Sequence, residues 1–135
     1  MKLLDTNVII RFITRDHPAK AEKLKRLFER VVAGKEQLLV TDLVVAEVIW
    51  VLEKVYKLKK PDIRAKVEAI LNTPNLFFQN RGVISEGIIL YEIYNIDFID
   101  AYHKAFMQKA KIKEVYSYDR DFDAFDDIVR QEPKG

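Results

Sequence analysis

Short apolar segments alternate with segments of helical periodicity along most of the chain, and the connections between them are short. The apolar segments lie at 2–4, 37–41, 75–78 and 114–118, with a short fifth candidate at 128–130. Helical spacing covers 18–33, 42–56, 61–71, 84–94 and 98–110, and Asp-Thr-Asn at 5–7 is typical of a helix start. This alternation predicts right-handed crossovers and a parallel sheet. We therefore expect an α/β, Rossmann-like three-layer fold with a central parallel sheet of four to five strands.

The size and composition of the chain restrict the classes of protein to consider. A chain of 135 residues that is 49% hydrophobic predicts one compact domain over residues 1–135. The absence of cysteine excludes disulfides, thiolate zinc sites and a cysteine nucleophile, and fits a reducing compartment. No segment has the pattern of a signal peptide or of a membrane span, so we expect a cytoplasmic protein.

The charge balance gives little information about a partner. The formal net charge is +2, from 23 basic and 21 acidic residues. Basic residues nevertheless recur in groups, one of which comprises Lys54, Lys57, Lys59 and Lys60. A solvated helix face is the ordinary explanation of such a run, and a phosphate contact is the alternative.

Acidic residues follow the predicted strands at the points where parallel sheets bind ligands, beyond the carboxyl ends of their strands. Asp5 follows the first strand, and Asp119 and Asp121 follow the fourth. Helix capping by Asp5 and an ordinary acidic turn at 119–121 are the structural alternatives. Asp97 and Asp100 lie at the start of a predicted helix, where Asp97 has the position of an N-cap and Asp100 falls in the first turn.

Glu47 lies among apolar residues of a predicted helix. Its neighbours three and four positions away are Leu43, Val44, Trp50 and Val51, so we expect its carboxylate to start from the buried face. A buried carboxylate must be protonated, paired or bound to a metal. A glutamate that reaches the rim of the core or pairs with a lysine is the alternative.

These acids acquire a common explanation when they are considered together. Four separate elements would each bring a carboxylate to one rim of the sheet, and their repulsion would be unfavourable without a cation. Oxygen ligands without a suitable histidine or cysteine set favour Mg²⁺ or Mn²⁺. Such ions act in hydrolysis of phosphodiesters.

Four stretches carry a resemblance to a known family. They are Asp5-Thr6-Asn7-Val8-Ile9-Ile10-Arg11, Glu47-Val48-Ile49-Trp50-Val51-Leu52, Asp97-Phe98-Ile99-Asp100-Ala101-Tyr102-His103 and Ser117-Tyr118-Asp119-Arg120-Asp121-Phe122. In this order and spacing the chain resembles a PIN domain, specifically the VapC toxins of toxin–antitoxin pairs. One departure is Ser117-Tyr118, where Thr-Phe is more usual before the last aspartate.

The resemblance implies a magnesium-dependent endoribonuclease, with Mn²⁺ as a possible substitute. The catalytic and metal-binding carboxylates would be Asp5, Glu47, Asp100 and Asp119, supported by Asn7, Ser117, Asp97 and Asp121. It also implies an RNA substrate, a VapB-type antitoxin partner and a homodimer. The alternative is a non-catalytic or housekeeping PIN domain that binds or processes RNA. A receiver domain or a haloacid-dehalogenase-type phosphatase does not fit, because the former needs an aspartate after strand three and the latter Asp-x-Asp at 5–7.

Overall fold

The computed structural model describes residues 1–135, which divide into two compact units. The N-terminal unit comprises Met1–Arg81 and the C-terminal unit comprises Gly82–Gly135. None of the helices combines the length and the apolar character that crossing a membrane requires.

The N-terminal unit contains three parallel strands and four helices. In chain order they are β1 (Lys2–Leu3), α1 (Thr6–Thr14), α2 (Pro18–Val32), β2 (Leu38–Val40), α3 (Asp42–Lys54), α4 (Lys60–Leu71) and β3 (Leu76–Phe78). The sheet has the order β1-β2-β3, with Leu3 opposite Leu39 and Val40 opposite Phe78. Val31, Val40, Leu52 and Ile63 are fully buried in this unit. The helices and strands therefore share an aliphatic core.

Gly34 ends α2 in a conformation that the sequence anticipates. Its φ is +80°, and the Lys35 N–H donates to the Arg30 carbonyl at 2.9 Å, as in a Schellman motif. The Asn75 side-chain amide donates to the Val31 carbonyl at 3.0 Å. The last turn of α2 is thus connected to the segment that leads into β3.

The C-terminal unit packs two helices beside a small parallel sheet. It contains α5 (Arg81–Ile93, whose first residue closes the N-terminal unit), α6 (Phe98–Ala110), β4 (Glu114–Tyr116), a 3-10 helix (Arg120–Ala124) and β5 (Val129–Gln131). β4 and β5 pair in parallel. Ile84, Ile88 and Ala101 are fully buried, and the rings of Tyr91 and Phe98 meet edge to face at 6.2 Å.

The predicted α/β class, the parallel pairing and all five strand positions are confirmed. The central parallel sheet has three strands, slightly fewer than the four to five predicted, because β4 and β5 hydrogen-bond to each other as a separate pair. β1 has only two residues and therefore few backbone groups to share. Lys2 N–H and Leu4 N–H donate towards β2, to the carbonyls of Gln37 and Leu39 at 3.1 and 2.9 Å. Pairing is a long-range property that the local pattern does not encode.

Gly87 allows α5 and α6 to approach closely, and this makes it a test of their packing. A Cβ at position 87 would lie 3.3 Å from the Cα of Tyr102, whereas one at Gly82 would meet nothing within 4 Å. We expect Gly87→Ala to lower the free energy of unfolding by about 1 kcal/mol, because the backbone of α6 must move. Gly82→Ala on the same helix should raise it by up to about 1 kcal/mol. Urea unfolding of both variants measures the difference, and equal effects would contradict the close packing.

Candidate active site

Asp5 leads from β1 into α1 without acting as a helix cap. It has the N-cap position, with φ −89° and ψ 161°, but its side chain makes no capping hydrogen bond. Asn7 follows within the first turn of α1, and both side chains are exposed. The capping alternative for Asp5 is therefore not what the structure shows, and the carboxylate faces a cleft.

This cleft of about 400 Å³ lies entirely within the N-terminal unit. It brings together three predicted site residues: Asp5 and Asn7 at the start of α1, and Glu47 on α3. Arg11, which is positively charged, and His17 also line the cleft. Its complete lining is Asp5, Thr6, Asn7, Ile10, Arg11, Asp16, His17, Glu47, Val51 and Tyr56. The cleft thus combines carboxylates with a side chain that is able to bind a phosphate.

Glu47 is exposed, so the expectation that it starts from the buried face is wrong. The expectation treated Leu43 and Trp50 as core residues, but they are 83% and 58% exposed. The buried face of α3 is formed instead by Val44, Val45, Val48, Ile49 and Leu52. Glu47 reaches the cleft from the solvent side, where a carboxylate has no desolvation cost to offset.

One wall of the cleft is held by a hydrogen bond that the sequence did not reveal. The Tyr56 hydroxyl donates to Asp16 Oδ2 at 2.7 Å, and the Thr14 hydroxyl donates to Asp16 Oδ1 at 3.1 Å. The hydrogen bond from Tyr56 is the main reason why the pKa of Asp16 lies below its ordinary value. These contacts tie the connection after α1 to the connection after α3. No local pattern links positions 16 and 56.

The C-terminal unit brings together three carboxylates. Asp97, Asp100 and Asp121 each offer an oxygen, and these oxygens all lie within 4.8 Å of one another. Asp97 has the N-cap position of α6, yet its side chain makes no capping hydrogen bond. Asp97 therefore has the predicted N-cap position, but its carboxylate lies near Asp100 and Asp121 and does not cap the backbone. We call this group, Asp97, Asp100 and Asp121, the acidic cluster.

Asp119 is hydrogen-bonded to two members of the acidic cluster, Asp100 and Asp121. It shares a hydrogen bond with Asp100, and its Oδ1 accepts the Asp121 N–H at 2.9 Å. The Ser117 hydroxyl oxygen accepts the Asp119 N–H at 2.9 Å, which fixes the turn that follows β4. Asp97 and Asp121, which were predicted as supporting residues, thus lie near Asp100, as does the predicted ligand Asp119.

The surroundings of Asp100 favour its protonated form. Burial, followed by the hydrogen bond and the negative charge of Asp119 and those of Asp121, raises its pKa to about 7. The pKa of Asp119 is lowered, mainly by the hydrogen bond from Asp100. Below about pH 7 the proton of this pair is therefore held on the Asp100 side.

The donor chemistry of the acidic cluster fits a hard divalent cation. All of its donors are carboxylate oxygens, which Mg²⁺ and Mn²⁺ prefer. A cation at this position would offset the negative charges that now favour the proton on Asp100. Asp97, Asp100 and Asp121 are the residues of the C-terminal unit that could hold it.

Comparison with known proteins finds a family, a relative and a solved structure similar to this chain. The PIN domain family matches residues 2–128. A VapC ribonuclease of Aquifex aeolicus (strain VF5) is 35% identical over 122 residues, which are 90% of this chain and 90% of that protein. The crystal structure of Mycobacterium tuberculosis VapC20, described as a sarcin-ricin loop cleaving toxin, aligns with 92% of this chain and 94% of its own, at 20% identity and a TM-score of 0.38.

The proton on Asp100 predicts how stability depends on pH when metal is absent. Because the folded pKa, about 7, exceeds the ordinary value of 3.8, the folded protein keeps a proton that the unfolded chain releases. Stability should therefore fall as pH rises from about 4 through 7. Asp100→Asn should remove this part of the dependence, which melting curves in EDTA at pH 5 and pH 7.5 would measure.

Asp62→Asn, on the exposed first turn of α4, is the matched control and should keep the wild-type dependence. The carboxylates whose pKa values are lowered, such as Asp16 and Asp123, lose their contribution only at lower pH and so do not interfere. Parallel pH profiles for wild type and Asp100→Asn would contradict the assignment of the proton.

Proposed function

The chain belongs to the PIN-domain family, of VapC type, and on this premise we propose that it is a divalent-metal-dependent endoribonuclease, the toxin of a VapBC toxin–antitoxin pair. The observation that carries the proposal is the acidic cluster, with three carboxylate oxygens within 4.8 Å, in a chain 35% identical to a VapC ribonuclease. The substrate is RNA, whose phosphodiester bonds are hydrolysed.

We assign the catalytic and metal-binding roles to Asp5, Glu47, Asp100 and Asp119. Asn7, Ser117, Asp97 and Asp121 support them, and the close approach of carboxylate oxygens in the acidic cluster supports a part for Asp97 and Asp121 in holding the ion. The ion is Mg²⁺, for which Mn²⁺ can substitute, since both prefer oxygen ligands.

The side chains divide the work of hydrolysis. When bound, a divalent ion in such a site supplies positive charge to the phosphate and lowers the pKa of a water. Asp119 or Glu47 accepts a hydrogen bond from the attacking water and so orients it. Arg11, which lines the cleft with Asp5 and Glu47, contacts a phosphate oxygen of the RNA.

The proposed biological setting follows from the family. The protein acts in the cytoplasm, forms a homodimer and is held inactive by a VapB-type antitoxin. A housekeeping or non-catalytic PIN domain would bind or process RNA without these partners, and the experiments below separate the two functions.

The direct test is cleavage of RNA by the purified protein. We expect fragments of total RNA with Mg²⁺ or Mn²⁺ and none with EDTA. Asp5→Asn and Glu47→Gln should each reduce the rate by a factor of about 100 or more, as for removal of a group that stabilises the transition state. Gel analysis with Asp62→Asn as control measures this. Cleavage that persists in Asp5→Asn would identify a contaminating nuclease or another site.

The same assay ranks the residues of the C-terminal unit. Asp100→Asn should abolish cleavage, and Asp97→Asn should raise the Mg²⁺ concentration needed for half-maximal activity, since its carboxylate lies in the acidic cluster. If Asp97→Asn behaves as wild type at every Mg²⁺ concentration, Asp97 is not a ligand.

The toxin role predicts a phenotype. Expression of the chain alone should arrest growth, and expression together with its VapB-type partner or as the Asp5→Asn variant should not. Colony counts after induction measure the effect, with immunoblots to match the protein levels. Unimpaired growth with an active wild-type enzyme would favour the housekeeping function.

A further inference from the structure

One face of α3 carries an exposed stripe of residues next to the cleft. Leu43, Glu47, Trp50 and Lys54 recur at intervals of four, three and four residues, so they form one line along the helix. All four are exposed, while the opposite face is buried in the N-terminal unit. We call this line the α3 stripe. It contains the chain's one tryptophan, which is 58% exposed.

Trp50 lies one helical turn from Glu47. Side chains three residues apart on a helix have Cβ atoms about 5–6 Å from each other, and long side chains lean towards the N-terminus of their helix. An indole at position 50 is therefore adjacent to the Glu47 side of the cleft. It offers a flat apolar surface beside a residue to which we assign a role in hydrolysis.

The charges around Trp50 indicate what kind of partner covers it. Lys54 is on the stripe, and Lys57 and Lys59 follow in the next connection, all exposed. Lys54 forms an ion pair at 3.2 Å with its half-buried neighbour Glu53, and because Lys54 itself is exposed, such a pair contributes little and leaves the ammonium able to contact a phosphate. An aromatic platform followed by cations is the arrangement that binds single-stranded nucleic acid.

A second copy of the chain fits this stripe less well. A two-fold interface centred on Trp50 would bury Glu47 and Lys54 of both copies, whereas the cores of protein interfaces are depleted of charge. RNA offers bases for the indole and phosphates for the lysines.

We propose that Trp50 stacks on an unpaired base of the RNA substrate, next to the phosphate that is positioned for cleavage, while Lys54 and Lys57 contact the backbone beyond it. This inference rests on the proposed ribonuclease function and adds a base-binding residue to it. The protein therefore engages RNA where a base is free to leave its stack.

The single tryptophan provides the experiment. Single-stranded oligouridylate, added to the wild-type protein in EDTA so that no cleavage occurs, should quench the Trp50 fluorescence saturably. Inorganic polyphosphate of similar length carries the charge without bases and should quench it far less. Anisotropy of labelled RNA should show binding about 5- to 150-fold weaker for Trp50→Leu. Trp50→Phe, which keeps an aromatic ring, should stay within a few-fold of wild type, as should Leu43→Ala on the same stripe.

Three results would overturn the inference. They are no quenching by RNA, equal quenching by polyphosphate, or equal binding by Trp50→Leu and Trp50→Phe. A shift in Trp50 emission with protein concentration alone, removed by Leu43→Ala, would assign the stripe to a second copy and also overturn it. Quenching without metal-dependent cleavage would contradict only the proposed function, whereas cleavage without quenching would contradict only the stacking.

Discussion

The parallel pairing of β1 with β2 is the constraint on which the cleft depends. A hydrogen bond of 2.9 Å from Leu4 N–H to the Leu39 carbonyl aligns the ends of both strands. Because parallel strands end at the same edge, the helices that follow them, α1 and α3, start at that edge. Asp5, before α1, and Glu47, on the second turn of α3, therefore share one cleft although they are distant in sequence.

The carboxylates of the C-terminal unit differ from those of the cleft in their exposure to solvent. Asp5 and Glu47 are exposed, whereas Asp100 is partly buried and its pKa is raised to about 7 beside Asp119 and Asp121. A proton and a divalent cation would both reduce the repulsion between these carboxylates, so they would compete for the site. Binding of the proposed ion should therefore release a proton near neutral pH.

The sequence predicted what local patterns encode. The five strand positions and the stretches that carry the carboxylates could be read because apolar periodicity and turn residues are local. The exposure of Glu47 could not be predicted. Leu43 and Trp50 are apolar residues, and only the tertiary packing shows that their side chains face solvent. The hydrogen bond between Tyr56 and Asp16 could not be predicted either, because it depends on tertiary structure. The closeness of Asp97 and Asp121 to Asp100 depends on side-chain directions that capping rules do not specify.

The link between β4 and β5 has a consequence for how this protein can vary. Parallel strands need a connection of about a dozen residues, and residues 117–128 provide roughly that length with only a 3-10 helix in it. The same link carries Ser117, Asp119 and Asp121. Deletions here would strain the pairing of the strands and displace the carboxylates at once. Diversity among descendants of this chain should therefore arise in the link through amino-acid replacement, while insertions and deletions accumulate elsewhere.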